Sequence, residues 1–193
     1  MNNKAFTLIE TLIAITIVTI TVAGPLYSAS RAIVAADLAS QQLTATYLAQ
    51  EGIEYVRAMR DDAYLYAYKN PPIPPGTVST AAWNDFTAGS SAWSITNCRL
   101  LACTLDPTQV NMGHTVGLSL QQCGGGSGVA CSPLHKAGNG LYVQENVGTV
   151  TPYTRILQVN VQGNEAVASS TVAWNFHGTA YSATIIDHLT PWQ

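Results

Sequence analysis

The N-terminal segment of the chain is an apolar run that contains a single charge. In residues 6–26, Glu10 is the only ionisable side chain. The run has about the twenty residues that a helix needs to cross the hydrocarbon core of a bilayer. A carboxylate within a bilayer costs about 2.5–3.5 kcal/mol on insertion scales, so Glu10 requires a partner. The chemistry of its charge predicts that this partner is a free amine.

Two ordinary explanations of the apolar run remain open. A secretory signal would be cleaved after a small-residue site, and Ser28-Ala29-Ser30 provides one. A plain membrane anchor would have the same length and composition, but it gives Glu10 no role. Lys4, which precedes the run, favours an N-terminus inside the cell with the rest of the chain outside.

The residues from Ala5 to Glu10, Ala-Phe-Thr-Leu-Ile-Glu, resemble the cleavage and methylation signal of type IV pilins and of the pseudopilins of type II secretion. The resemblance implies that a leader, residues 1–5, is removed at the Ala5-Phe6 bond. It also implies that Phe6 is N-methylated and that Glu10 is the signature acid of subunit assembly. Cleavage would create an ammonium group at Phe6 that can neutralise the buried carboxylate of a neighbouring subunit. The family usually has Gly before the cleaved bond, where this chain has Ala5.

The same resemblance implies the partners and the location of the chain. A prepilin peptidase would process it, an inner-membrane assembly platform would receive it, and other pilin or pseudopilin subunits would pack against it in a helical filament. Before assembly it would cross the cytoplasmic (inner) membrane once with its N-terminus inside, and it would then join an extracellular or periplasmic filament. The alternative is a membrane-anchored extracellular binding domain that never polymerises.

A proline and an amphipathic pattern divide the helical part of the chain into a transmembrane or filament-core helix, residues 6–26, and a second helix, residues 27–62. Pro25 predicts a kink or local melting, which the resemblance associates with assembly. Residues 27–62 place apolar side chains at spacings of three, four and seven, which predicts a helix packed on a domain. Gly52 in this stripe predicts a close crossing against a strand. The stripe consists of Val34, Leu38, Ala45, Leu48, Gly52, Tyr55, Val56 and Met59.

Charged and aromatic residues near this helix are expected to be structural. Arg57 is at helical neighbour spacing from both Glu54 and Asp61, so ion pairs on a solvated face are predicted. Trp83 and Trp93 are expected to fill a small core rather than to form a surface patch for a partner.

Residues 63–139 predict an irregular segment with short strands near 91–97 and 115–119. All four cysteines lie in it, and in an oxidising exterior disulfides are the default. Four cysteines allow three pairings, of which the two sequence-local pairs are the simplest. These pairs are Cys98 with Cys103 and Cys123 with Cys131.

Composition argues for a structural chain rather than an enzyme. The net charge of −3 and the scattered Lys and Arg residues argue against nucleic acid as a partner. The sequence has no G-x-S-x-G, H-E-x-x-H or phosphate-loop motif. A zinc site that combines the cysteines with His114 or His135 is disfavoured, because the cysteine spacings differ from the paired C-x-x-C pattern. We therefore predict no enzymatic activity, no cofactor and no metal.

Residues 140–193 predict an antiparallel sheet, since segments rich in Val, Ile, Thr and Tyr alternate with turn residues. Gly163-Asn164 and Gly178 predict tight connections, and adjacent Asp187 and His188 would point to opposite faces of a strand. Ile156, Val159 and Val161 partly follow the alternation that is expected of a half-buried strand. The predicted strands are residues 141–144, 151–162, 166–177 and 179–187.

A long helix, half in the membrane and half amphipathic, that packs on a C-terminal antiparallel sheet is the pilin architecture. The expected fold class is therefore α+β and pilin-like. Tyr153-Thr154-Arg155-Ile156 and the closing Leu189-Thr190-Pro191-Trp192 also resemble the ends of minor pilins and pseudopilins of the PilV and I type. The resemblance thus implies a minor subunit of a type IV pilus or of a type II secretion pseudopilus.

Overall fold

The structure is a computed structural model of the chain, and the chain forms two compact units, Met1–Gln41 and Gln42–Gln193. The residues that the structure describes are 7–71, 77–91, 93–99, 101–106, 120–124 and 130–191.

Helix α1 (Leu8–Lys69) joins the two predicted helical segments, 6–26 and 27–62, into one helix that is described from Leu8 onward. It continues past residue 62, where the prediction ended it, and the side-chain amide of Asn70 donates a hydrogen bond to the Tyr66 carbonyl oxygen at 3.1 Å. Pro25 lies inside the helix, so the predicted local melting is absent there. Proline removes one backbone donor and its ring crowds the carbonyl oxygen four residues earlier, yet the helix continues through this position. The kink that was predicted as the alternative to melting stays a prediction.

The larger unit contains two antiparallel sheets. A five-stranded sheet has the order β2-β1-β6-β7-β8, and a three-stranded sheet has the order β4-β3-β5. A long N-terminal helix followed by an antiparallel C-terminal sheet confirms the α+β, pilin-like fold class. The strands are β1 (Cys103–Leu105), β2 (Leu120–Gln122), β3 (His135–Lys136), β4 (Tyr142–Val143), β5 (Thr149–Val150), β6 (Thr154–Gln162), β7 (Glu165–Phe176) and β8 (Thr179–Leu189).

Two-residue turns connect the last three strands, as the glycine positions predicted. Gly163 (φ 60°) and Asn164 join β6 to β7. His177 (φ 50°) and Gly178 (φ 82°) join β7 to β8. Positive φ values at both central residues of the second turn give a twist that matches that of the flanking strands. Each pair of strands remains in register along its length.

The segment predicted to be irregular contains a second helix, α2 (Val78–Ala88). Thr77 caps it, because its hydroxyl accepts a hydrogen bond from the Thr80 backbone N–H at 3.3 Å. The strand predicted near residues 91–97 is wrong, since Thr96–Cys98 form a 3₁₀ turn. The strand predicted at 115–119 lies outside the described residues.

Two clusters of buried side chains form the core of the larger unit. Trp83 and Trp93 belong to the first cluster, together with Ile53, Val56 and Met59 of α1. This confirms that the tryptophans fill the core. The predicted stripe begins too early, because Val34 is 39% exposed. The buried positions of α1 are Ala45, Leu48, Ala49, Gly52, Ile53, Val56, Met59, Ala63 and Ala67.

Gly52 lies where α1 crosses the sheet, which confirms the close crossing predicted from its position. A Cβ atom at Gly52 would lie 2.5 Å from the Ser170 hydroxyl oxygen of β7 and 3.0 Å from Leu157 Cδ2 of β6. Any larger residue must therefore displace the strand side chains or the helix.

Gly52→Val is expected to lower the free energy of unfolding by about 1–3 kcal/mol, because it overpacks a closed contact. The measurement is thermal unfolding of the full chain, followed by near-UV circular dichroism. Gly24→Val is the matched control, since Gly24 is in the same helix and a Cβ atom there would have no packing neighbour within 4 Å. Equal melting temperatures for the two variants would contradict the close crossing.

Candidate functional site

The first part of α1 exposes an apolar surface. Leu8 and Ile20 are 79% and 73% exposed, and an 18-residue window of the helix has a mean hydropathy of 1.9 with none of its residues buried. By length and composition this helix is able to cross a membrane. A signal sequence near the N-terminus would have the same length and composition. An apolar surface of this extent needs lipid or protein around it.

Threonine hydroxyls in this part of the helix are hydrogen-bonded within the helix itself. Each donates to the carbonyl oxygen three residues earlier, at 2.8–2.9 Å, which removes the cost of an unpaired polar group in lipid. These residues are Thr11, Thr16, Thr19 and Thr21.

Glu10 is the exception in this segment, because its carboxylate has no hydrogen-bond or ion-pair partner among the described residues. It lies in the first turn of α1, where the helix dipole favours a negative charge by about 0.3–1 kcal/mol. The Glu10 and Thr11 backbone N–H groups donate to the Thr7 carbonyl oxygen at 3.1 and 3.3 Å.

Ala5 and Phe6, the predicted processing and methylation residues, lie outside the described residues. Pro25, the other predicted assembly residue, lies within the helix.

A buried arginine connects α1 to the sheet in the larger unit. Arg155 of β6 is 0% exposed and pairs with the Glu51 carboxylate of α1. Its guanidinium also donates to the carbonyl oxygens of Leu48, at 3.3 Å, and of Leu105, at 2.9 Å. One side chain thus joins α1, β1 and β6.

The sequence contained a partial signal for this connection. Every second residue in the first part of β6 is buried, and these residues are Arg155, Leu157 and Val159. Ile156, between two of them, is half-buried. The partial alternation that the sequence predicted is confirmed for Val159, which is buried, whereas Val161 is half-buried and Ile156 lies at a position of the opposite parity. A cation at a core position of a strand is stable only when it is paired and hydrogen-bonded, and its partner Glu51 is 104 residues away in the sequence.

A second arginine, Arg57 of α1, binds both its helical neighbour and the sheet. It donates to Glu54 at 2.7 Å, as predicted, and to Asp187 of β8 at 2.8 Å. The predicted pair with Asp61 is wrong, because Asp61 binds Arg60 at 2.9 Å. The hydrogen bond from Arg57 lowers the pKa of Asp187 and raises that of Arg57 itself.

His188, which follows Asp187 on β8, faces the opposite side of the strand, as predicted. His188 Nδ1 lies 2.6 Å from a carboxylate oxygen of Glu165, and both side chains are well exposed. Asp187 and His188 therefore cannot act on one substrate as a pair.

The cysteines form disulfides between sequence neighbours, Cys98 with Cys103 and Cys123 with Cys131. They fasten the 3₁₀ turn to β1 and the end of β2 to the chain before β3. Their sulfurs are consequently unavailable for a metal. No group of three or more His, Cys, Asp and Glu side chains with metal-binding geometry occurs in the part of the chain that the structure describes. His135 is buried on β3, and His114 lies outside the described residues.

Comparison with known proteins identifies the N-terminal segment. Neither the curated proteins nor the solved structures contain a match to the chain. Residues 1–24 match the family model described as the prokaryotic N-terminal methylation motif. Helix α1 begins inside the matched segment, at Leu8, and continues beyond it. The motif implies processing by a prepilin peptidase and assembly with other pilin subunits in general. It supports a structural role of the type IV pilin or pseudopilin kind for this chain.

Proposed function

We propose that the chain is a structural subunit of a type IV pilus or of a type II secretion pseudopilus, and that it assembles through its N-terminal helix after leader cleavage. The observation that carries this proposal is the carboxylate of Glu10, which is the only charged side chain of residues 6–26 and lies in the exposed apolar part of α1. A simple anchor or secretory signal has no use for that carboxylate, whereas a filament gives it a partner.

The mechanism follows from the physics of helix association in lipid. Apolar helices in a bilayer gain little from hydrophobic association, because the lipid tails are as apolar as the side chains. The attraction between Glu10 of one subunit and the amine at Phe6 of its neighbour is then the directional contact, and it sets the register. Extraction into a helical bundle replaces the lipid around each helix with the apolar faces of neighbouring subunits.

The proposed location follows the same sequence of events. The subunit is inserted in the cytoplasmic (inner) membrane with its N-terminus inside, and it is cleaved there between Ala5 and Phe6. It then joins an extracellular or periplasmic filament from an inner-membrane assembly platform. The two disulfides belong to the part of the chain that would be outside, where they are stable.

We further infer that it is a minor subunit. The resemblance of residues 153–156 to minor pilins and pseudopilins supports this inference. Quantitative peptide mass spectrometry of sheared filaments should therefore find this chain at a small fraction of the main subunit.

The decisive test is the intact mass of the protein recovered from membranes of a native-like host. We expect a chain that begins at Phe6 and carries one added methyl group. A host without the prepilin peptidase should yield the chain with residues 1–5 retained. Ala5→Gly is the matched variant, because it restores the residue usual in the family, and it should be processed at least as completely. A mature chain that begins near Arg31, or an unprocessed chain in the complete host, would contradict the proposal.

A further inference from the structure

The apolar part of α1 ends at an aromatic and a cationic side chain. Residues 11–30 carry no charge, so Arg31 is the first charged side chain after Glu10. Tyr27 lies nineteen residues after Leu8, which corresponds to about 29 Å along a helix. The hydrocarbon core of a bilayer is about 30 Å thick, so a helix that enters it at Leu8 leaves it near Tyr27.

Tyr27 and Arg31 contact each other across one turn of the helix. The Arg31 Nε–H donates a hydrogen bond to the Tyr27 hydroxyl oxygen at 3.2 Å, and the guanidinium carbon lies 5.3 Å from the centre of the Tyr27 ring. Since Tyr27 precedes Arg31 in the chain, this contact holds the cation back toward the apolar segment. The positive charge is therefore kept at the edge of the apolar surface instead of being extended into water.

Most of the hydrogen-bonding capacity of Arg31 is unused within the described part of the chain. A guanidinium has five N–H donors, and the contact with Tyr27 uses only the one on Nε. All eleven Asp and Glu residues lie in the described ranges, and none of them pairs with Arg31. The four donors on the two terminal nitrogens form a planar fork, which matches the oxygens of a phosphate or a carboxylate.

We propose that Tyr27 and Arg31 bind the phosphate group of a phospholipid on the outer side of the membrane. The terminal nitrogens of Arg31 donate in parallel to two phosphate oxygens. The Tyr27 ring fits the boundary between headgroups and hydrocarbon, because the ring is apolar and its hydroxyl is polar. The inference rests on the proposed membrane insertion of the subunit, since a bilayer supplies phosphate at this level of the helix.

This contact sets the depth of the subunit in the bilayer before assembly. Removal of residues 1–5 takes Lys4 away, and Arg31 is then the basic side chain nearest to the apolar run, with Arg57 the next one along the chain. The phosphate contact on the outer side therefore replaces the cation that the leader provided on the inner side.

Solid-state NMR of the full chain in phosphatidylcholine vesicles, in buffer without phosphate, tests this proposal. The chain is labelled with ¹³C at the arginine guanidinium carbon, and the measurement is the dephasing of this signal by lipid ³¹P. The chain has five arginines, so we expect about one fifth of the signal to be dephased. Arg31→Gln should abolish the effect, and Tyr27→Leu should reduce it at least twofold, because the cation is no longer held at the boundary.

Arg57→Gln is the matched control, since it removes an arginine of the same helix outside the apolar part, and it should keep the dephased signal. Vesicles of digalactosyldiacylglycerol, which contain no phosphorus, with inorganic phosphate in the buffer form the second arm. They should give no dephasing, and an effect equal to that of phosphatidylcholine would overturn the lipid as the ligand.

Flotation of the chain with the vesicles separates this inference from the proposed function. A chain that floats with the vesicles but shows no dephasing beyond that of Arg31→Gln would overturn the lipid contact and leave the filament subunit standing. A chain that does not float with them would overturn both proposals.

Discussion

Glu10→Ala is expected to leave membrane insertion intact and to reduce incorporation into filaments about tenfold. Insertion should persist because the substitution makes the apolar run more hydrophobic. Incorporation should fall because the variant loses the directional contact with the amine of a neighbouring subunit, and an interhelical polar contact in lipid is worth about 1–2 kcal/mol. The measurement is the ratio of variant to wild type in sheared filaments and in membranes after co-expression.

Two matched variants separate the charge from other effects at this position. Glu10→Gln keeps the size and polarity of the side chain but removes its charge, so it should be nearly as defective as Glu10→Ala. Thr16→Ala removes a hydroxyl that is already bonded to the Ile13 carbonyl oxygen at 2.8 Å, so it should be incorporated normally. Equal incorporation of Glu10→Ala and wild type would disprove the role of the carboxylate in assembly.

Arg155→Ala is expected to lower the free energy of unfolding by about 3–5 kcal/mol, because it deletes a large buried side chain and leaves buried acceptors unpaired. The variant leaves the carbonyl oxygens of Leu48 and Leu105 without their donor and opens a cavity between α1 and β6. For a unit of this size, such a loss corresponds to a fall in melting temperature of about 10–15 °C. Near-UV circular dichroism of the full chain measures this thermal unfolding, because the core contains Trp83, Trp93 and Trp174.

Arg57→Ala is the control for Arg155→Ala, since it also removes an arginine that bridges α1 and the sheet. The Arg57 side chain is 42% exposed, and exposed pairs contribute only about 0–1 kcal/mol. Arg155→Lys should fall between the two, because an ammonium keeps the charge but lacks the planar fork that reaches several acceptors. A melting temperature of Arg155→Ala equal to that of Arg57→Ala would show that the buried connection does not stabilise the fold.

The sequence predicted the helix and the last three strands well, because these elements have strong local signals. The stripe of α1, the turns at Gly163 and at Gly178 and the runs of β-branched residues each depend on neighbours in the chain. The middle of the chain was predicted poorly. Helix α2 is short, and its burial depends on contacts with distant elements, so no periodic pattern of sufficient length predicted it.

The candidate assembly site was predicted more completely than the connections within the larger unit. Glu10 stands out by its charge in an apolar run, which is visible without a structure. The pairing of Arg155 with Glu51 was not predicted, because the two residues are 104 positions apart in the sequence.

The sequence by itself determined that an apolar helix lies near the N-terminus, which residue in it is charged, and that an antiparallel sheet follows. Each of these properties is local, since it follows from the order of residues within about one helix or hairpin. Only the tertiary structure decided that Arg155 is buried against Glu51, and that Arg57 pairs with Asp187 rather than with Asp61. A charge can be buried, or choose one partner over another, only when distant segments supply the opposite charge and the remaining hydrogen bonds.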